Sequence, residues 1–222
     1  MIILDSINLK TVSTVDAVTV ALLNDIFFTL SPGEKITESS LNLRYGVSRN
    51  TLREAIAYLI SSGVLVKIAN RGVFVREITR EDVREIFSLR ALIEAEAIKR
   101  IIEIDAPTDE LSEKAALLEK SKPSDNWNEY VQTDMDFHSL LVSASKSSRL
   151  CRIYDAIKGE VMLCICQSKR HIPPTSVNGV SHKEILDAVA KKDASLASKL
   201  LLKHIESAIS NYEKGFDEER GI

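Results

Sequence analysis

Tyr45-Gly46-Val47-Ser48-Arg49-Asn50-Thr51-Leu52-Arg53-Glu54-Ala55 reads as a tight turn feeding a helix of the helix-turn-helix kind that enters a DNA groove. Gly46 supplies a backbone conformation that residues with a Cβ avoid, and the Ser48 hydroxyl can cap the new helix. Leu52, Ala55, Ile56, Leu59 and Ile60 recur at helical intervals, so they can face a core while Arg49, Asn50 and Arg53 point outward. A guanidinium grips guanine or phosphate, and asparagine pairs bidentately with adenine. The hydroxyls of Ser48 and Thr51 suit phosphate oxygens, which fix register without reading sequence. On this stretch alone an ordinary amphipathic helix with a solvated charged face fits equally well.

The flanking sequence decides between the two. Gly63-Val64-Leu65-Val66-Lys67 and Gly72-Val73-Phe74-Val75-Arg76 are short β-type runs joined by Ile68-Ala69-Asn70-Arg71, the pattern of a wing. Asn70-Arg71-Gly72 is its expected tip, with Gly72 permitting a tight turn and Arg71 able to reach phosphate or the minor groove. Upstream, Ser31-Pro32-Gly33-Glu34 reads as a turn, Thr37 to Tyr45 as the first helix of the pair, and Val15 to Thr29 as an earlier helix beneath it.

After Arg76 the chain turns rich in Ala, Leu, Ile, Glu and Lys, with few glycines. Thr79-Arg80-Glu81-Asp82 resembles a capping box with Asp in place of Glu, and Val83, Ile86, Leu89, Ile93, Ala97 and Ile101 keep helical spacing beyond it. Further helices are expected near 108–120, 126–146, 149–168, 181–191 and 194–215, punctuated by Pro107, Pro123 and Pro173-Pro174. The expectation is a mainly α protein with two domains. Residues 1–77 form a winged helix-turn-helix of three helices and a two-stranded wing, and residues 78–222 an all-α antiparallel bundle of six helices.

Composition permits this. The 222 residues are 45% hydrophobic and 27% charged, enough to fill two cores, and the net charge is −3. The charge is unevenly placed: Arg44 to Arg76 holds Arg44, Arg49, Arg53, Lys67, Arg71 and Arg76 against one acid, Glu54. Nucleic-acid binding needs one positive face, not a basic protein. Cys151, Cys164 and Cys166 lack zinc-ribbon or redox-dithiol spacing and read as idle or buried thiols. Met1-Ile2-Ile3-Leu4-Asp5 breaks off too early for a signal core and no run is long enough to span a bilayer, so the expected address is the cytoplasm.

Three of the four histidines fall on expected helices. Asp134 and His138 stand at i, i+4, which places a carboxylate and an imidazole on one helical face as two adjacent cation ligands or as a plain surface pair. His182, in Ser181-His182-Lys183-Glu184, sits in the first turn of a capped helix, where the dipole disfavours imidazolium and so favours the neutral, ligating ring. A chance histidine in a capping turn would look the same. His204, beside Leu200, Leu201, Ile205 and Ala208, reads equally as a packing residue, and His171 as loop.

Two resemblances join these pieces. Ser31-Pro32-Gly33, Gly46-Val47-Ser48-Arg49, Leu52-Arg53-Glu54-Ala55-Ile56, Leu59, Gly63 and Asn70-Arg71-Gly72 resemble the winged-helix signature of GntR-family bacterial transcription regulators. The resemblance implies DNA contacts from Ser48, Arg49, Asn50, Thr51 and Arg53 and from the wing around Gly72. The chain departs from the pattern between Glu38 and Leu41, where Ser39 and Ser40 replace a basic residue common in the family. Asp134-Met135-Asp136-Phe137-His138-Ser139-Leu140, Ser181 to Ala188, Asp193 and His204-Ile205 resemble the FCD effector-binding domain of the FadR subgroup, and the helix number suits its VanR-like branch. That resemblance implies a metal site of Asp134, His138, His182 and His204 on the floor of a ligand cavity. It also implies that Arg90 clamps the effector; an i, i+4 ion pair with Glu94 is the other reading of the same arginine. Ser147 stands where many members carry an asparagine.

Three neutral nitrogens and one carboxylate leave a divalent ion net positive with open positions, which suits a small carboxylate metabolite. Zn²⁺ is the first expectation, with Ni²⁺ or Mn²⁺ compatible. The functional expectation is a homodimeric regulator of operator DNA answering to that metabolite. The rivals are a metal-dependent hydrolase on the same four residues and a DNA-binding protein with a purely structural metal.

Overall fold

The computed structural model describes residues 13–121, 126–168 and 180–219. Pro123, His171 and Pro173-Pro174 lie outside the described residues. Contacts divide the chain into two units, one ending at Ser61 and resuming over Leu65–Arg76, the other comprising Ser62–Val64 and the chain from Glu77 onward.

In the first unit, α1 (Thr14–Phe28), α2 (Glu38–Tyr45) and α3 (Arg49–Ser61) accompany strands β1 (Lys35–Ile36), β2 (Leu65–Ile68) and β3 (Gly72–Val75). α3 packs against α1 through Leu52, Ala55, Ile56 and Leu59, all buried as their spacing requires. The turn at residues 31–34 closes with the Glu34 N–H donating to the Ser31 carbonyl at 3.1 Å, and Gly33 takes the positive φ of 72° that this turn needs. Thr37 caps α2 by accepting from the Ser40 N–H. Gly46 ends α2 in the left-handed region at φ 65°, ψ 25°, with its N–H on the Asn42 carbonyl. Ser48 restarts the chain as a helix, its Oγ accepting the Thr51 N–H at 3.1 Å.

The wing differs from expectation in two respects. Its sheet has three antiparallel strands in the order β1-β3-β2, because the two-residue β1 pairs Lys35 with Phe74 and Ile36 with Val73. Two residues are too few to show an alternating pattern, so β1 is not visible in the sequence. The tip also shifts: Ile68 pairs with Gly72, which leaves Ala69, Asn70 and Arg71 as the loop, and Asn70 takes a positive φ of 60°.

The second unit contains six helices among the described residues: α4 (Arg80–Glu103), α5 (Asp109–Lys120), α6 (Trp127–Ala144), α7 (Ser148–Ser168), α8 (His182–Ala190) and α9 (Ala194–Glu219). α4 is the central rod, packing most extensively on α9 and also on α6, α7 and α8. It starts in the expected capping box, with Thr79 and Asp82 each satisfying the other's backbone N–H. Its inward stripe is Val83, Phe87, Arg90, Glu94, Ala97 and Ile101. Leu89, expected to face inward, is 49% exposed. The correction is confined to that position: Val83, Ile86, Ile93, Ala97 and Ile101 are buried as expected, and Arg90 and Glu94, which satisfy each other, share the core face with them. No helix among the described residues is long and apolar enough to cross a membrane.

Gly46 generates a direct test. A Cβ there meets nothing within 4 Å, so the cost of substitution is backbone strain alone. Gly46→Ala is expected to weaken hydrogen-exchange protection of the α2 and α3 amides by about 1 kcal/mol, and Gly46→Asn, which tolerates the left-handed region, by less.

Candidate functional site

The first unit presents a reading face. Arg49, Asn50 and Arg53 are exposed on the first turn and a half of α3, while Leu52, Ala55 and Ile56 are buried. The Ser48 and Thr51 hydroxyls lie 2.9 Å apart and share one hydrogen. Arg53 donates through Nε to Glu38 Oε1 at 2.9 Å, so one edge of its guanidinium is taken by α2. Glu38 is held below the usual carboxylate range mainly by that bond. Where many members of the resembled family carry a basic residue that contacts DNA, Ser39 and Ser40 instead join the Thr37 cap: the Ser40 Oγ donates to the Thr37 carbonyl at 2.9 Å, and the Ser39 Oγ to Thr37 Oγ1 at 3.3 Å. On the wing, Arg71 is exposed with its guanidinium 5.8 Å from the Phe74 ring centroid. Gly72 lies at the start of β3, at φ 116°, where a Cβ would come within 3.0 Å of the Lys35 side chain.

The second unit gathers Asp134, His138, His182 and His204, each with a ligand atom within 4.8 Å of those of the others. One turn of α6 brings Asp134 and His138 to the same face. The Ser181–Glu184 capping box starts α8 at His182, and Asp193, accepting the Leu196 N–H at 2.9 Å, starts α9, which carries His204. His182 Nε2 lies 3.1 Å from Asp134 Oδ1 and 3.2 Å from His138 Nε2. His204 turns Nδ1 to the Val180 carbonyl at 2.8 Å. Ser147 accepts the Leu150 N–H at 3.4 Å and so caps α7.

Arg90 answers to both sequence readings in part. It is buried, and its Nε donates to Glu94 Oε1 at 2.9 Å, the i, i+4 pair. Its Nη2 stands 3.9 Å from Asp134 Oδ2 and has no hydrogen-bond partner, which leaves one donor turned toward the cluster. Glu94, which sequence reasoning treated only as the mate of Arg90, uses its other oxygen, Oε2, on His138 Nδ1 at 2.7 Å. The inward spacing of Phe87, Arg90, Glu94 and Ala97 was the signal that could have revealed it.

Charge states follow from these contacts. Burial opposes the Asp134 anion, but the hydrogen bond from His182 and the charge of Arg90 outweigh it and hold the carboxyl ionised. Burial likewise opposes the Glu94 anion, and His138 with Arg90 restores it. Burial, then Arg90, lowers the His138 pKa against the pull of Glu94 and Asp134. Burial, then His182 and His138, pushes His204 down to about 3. His138 and His204 are therefore neutral rings, the ligating form.

The donor set fits a divalent cation. A neutral ring has one N–H, and the Nδ1 contacts of His138 and His204 consume theirs, which leaves both Nε2 atoms as lone-pair donors, that of His138 3.8 Å from the ionised Asp134. Convergent acceptors in a buried place require a positive centre, and three imidazoles with one carboxylate suit a first-row ion.

The gntR model of bacterial regulatory proteins matches residues 14–75, and the FCD domain model matches residues 85–207. The chain belongs to the gntR family of bacterial regulatory proteins and carries an FCD domain. It is a DNA-binding transcription regulator, and the matched families and relatives are regulators rather than enzymes. It is 27% identical to the uncharacterized HTH-type transcriptional regulator BphR of Paraburkholderia xenovorans, over 82% of this chain and 77% of that protein. It is 28% identical to the uncharacterized HTH-type transcriptional regulator YdhC of Bacillus subtilis, over 79% and 80%. Among solved structures, a putative GntR regulator from Rhodococcus sp. RHA1 superposes with a TM-score of 0.74 at 26% identity, covering 91% of this chain and 98% of that one.

The Glu38–Arg53 pair is exposed and screened by solvent, so Glu38→Gln is expected to leave the melting temperature essentially unchanged. The same change removes an anion from beside the reading helix, so non-specific duplex binding at low salt should tighten severalfold in an anisotropy titration.

Proposed function

We propose that this regulator acts as a homodimer that sets two winged helices on a two-fold symmetric operator. A small carboxylate metabolite, bound at a divalent cation in the second unit, changes that binding. The observation that carries the reading is the convergence of buried His138 and His182 with half-buried Asp134 and His204, in a chain whose Arg49, Asn50 and Arg53 are exposed on a helix-turn-helix. Arg49 and Asn50 read base edges, Ser48, Thr51 and Arg71 hold phosphates, Arg53 does both, and Gly72 keeps the wing backbone close. Such a protein works in the cytoplasm.

Asp134, His138, His182 and His204 hold the ion, with Zn²⁺ the first choice and Ni²⁺ or Mn²⁺ compatible. A bound divalent cation supplies a net positive centre with open coordination positions, which a carboxylate fills. The remaining donor of Arg90, Nη2, is the protein's own contact for the same anion. Ligand and DNA affinities are then coupled reciprocally, whichever direction the response takes.

The deciding experiment measures binding to a duplex selected in vitro, with acetate and malonate present or absent, on metal-loaded and metal-stripped protein. A carboxylate effect confined to loaded protein supports the reading, and identical isotherms under all four conditions overturn it. Arg49→Ala should weaken the selected duplex by about 1–3 kcal/mol while leaving metal content unchanged. His138→Ala and His204→Ala should each lower bound zinc below one equivalent by elemental analysis and abolish the carboxylate response. A variant that retains a full equivalent removes its residue from the ligand set.

A further inference from the structure

We infer that Glu94 is a positioning residue for the metal centre, holding His138 in the one tautomer that can ligate, with Arg90 as the clamp that keeps Glu94 in place. This rests on reading Asp134, His138, His182 and His204 as a metal site. Glu94 is fully buried and its two oxygens have separate partners, since Oε1 accepts from Arg90 Nε at 2.9 Å while Oε2 meets His138 Nδ1 at 2.7 Å. A carboxylate oxygen that close to a ring nitrogen requires a proton between them, so the Nδ1 of His138 carries its hydrogen. The Nε2 lone pair is thereby left facing His182 Nε2 at 3.2 Å and Asp134 Oδ1 at 3.8 Å.

The opposite tautomer would put a hydrogen on Nε2, aimed at Asp134, and would block the position a cation needs. A carboxylate behind a ligating imidazole also fixes the ring's rotation and strengthens the opposite nitrogen as a donor. His204 has only a neutral carbonyl, that of Val180, in the equivalent place, so the anionic support is particular to His138. Arg90 spans the arrangement, with Nε on Glu94 and Nη2 3.9 Å from Asp134 Oδ2. α4 therefore contributes no ligand, yet one carboxylate on it orients a ligand and one guanidinium faces two anions of the cluster.

The test uses the full-length, metal-stripped chain titrated with Zn²⁺ against a chromophoric chelator. Glu94→Gln should hold Zn²⁺ about 10- to 100-fold more weakly than wild type. The double variant Arg90→Met with Glu94→Gln removes the anion together with its hydrogen-bonded cation, leaves neither member of that pair unpaired, and should show the same loss. In metal-free wild type, ¹⁵N-detected histidine spectra should report the Nδ1–H tautomer at His138. Folded double variant with wild-type Zn²⁺ affinity, or an Nε2–H tautomer at His138 in wild type, overturns the assignment. Loss of binding in His138→Ala but in neither Glu94 variant overturns the role of Glu94 alone. Equal Zn²⁺ affinity in wild type and His138→Ala overturns the metal reading and this proposal with it.

Discussion

Burying a carboxylate among apolar side chains costs several kcal/mol unless its oxygens find donors, and this helical unit buries Glu94 fully and Asp134 in large part, both near the Arg90 guanidinium. The arrangement closes because every donor has a direction. Arg90 reaches Glu94 from one turn away on α4, Glu94 passes to His138 on α6, and His138 and His182 face Asp134. Side chains from α4, α6 and α8 are thus held in register by polar contacts, and Phe137 packs edge-on against both His138 and His182, excluding water from one side. The inward face of α4 therefore carries Arg90 and Glu94 among Val83, Ile86, Ile93, Ala97 and Ile101, while Leu89 and Leu92 are exposed.

The first unit follows the opposite logic. Its stability comes from Leu22, Ile26, Leu52, Ala55, Leu59 and Val75, all buried, and none of its candidate DNA-contacting side chains contributes to that core. Arg49 and Asn50 are exposed, and Arg53 makes a surface pair that adds little to stability. Recognition residues can therefore change without unfolding the helices that carry them. Asp25 illustrates the boundary between the two roles: it accepts from Arg44 and from the Tyr45 hydroxyl, tying α2 to α1 while drawing Arg44 back toward the scaffold.

What was legible in the sequence was local. Gly46, the Thr79–Asp82 and Ser181–Glu184 capping boxes and the apolar face of α3 each follow from contacts within about four residues, and such contacts leave a fixed spacing. β1 was not legible, since its two residues become a strand only by pairing with β3, whose sequence lies nearly forty positions away. Leu89 was misplaced for a related reason: hydropathy puts Arg90 and Glu94 outside, and only their partnership with each other and with α6 brings them in. The role of Glu94 beyond Arg90 could not be seen, because the imidazole it meets is 44 residues distant.

The four-residue cluster shows how much depends on contacts made on the far side of each ligand. His138 is oriented by Glu94, His204 by the Val180 carbonyl, and His182 by its place in the first turn of a helix whose cap is doubly hydrogen-bonded. The rings of His138 and His204 are thus directed by the protein from the side away from the cluster. Preorganisation of this kind lowers the ordering cost of binding, so on the proposed reading cation affinity depends on Glu94 and Val180 as well as on the four clustered side chains. It also divides the effects of substitution into two kinds. Changing a ligand removes a donor outright, whereas changing a supporting contact leaves every donor present and alters only the fraction of molecules in which all of them converge.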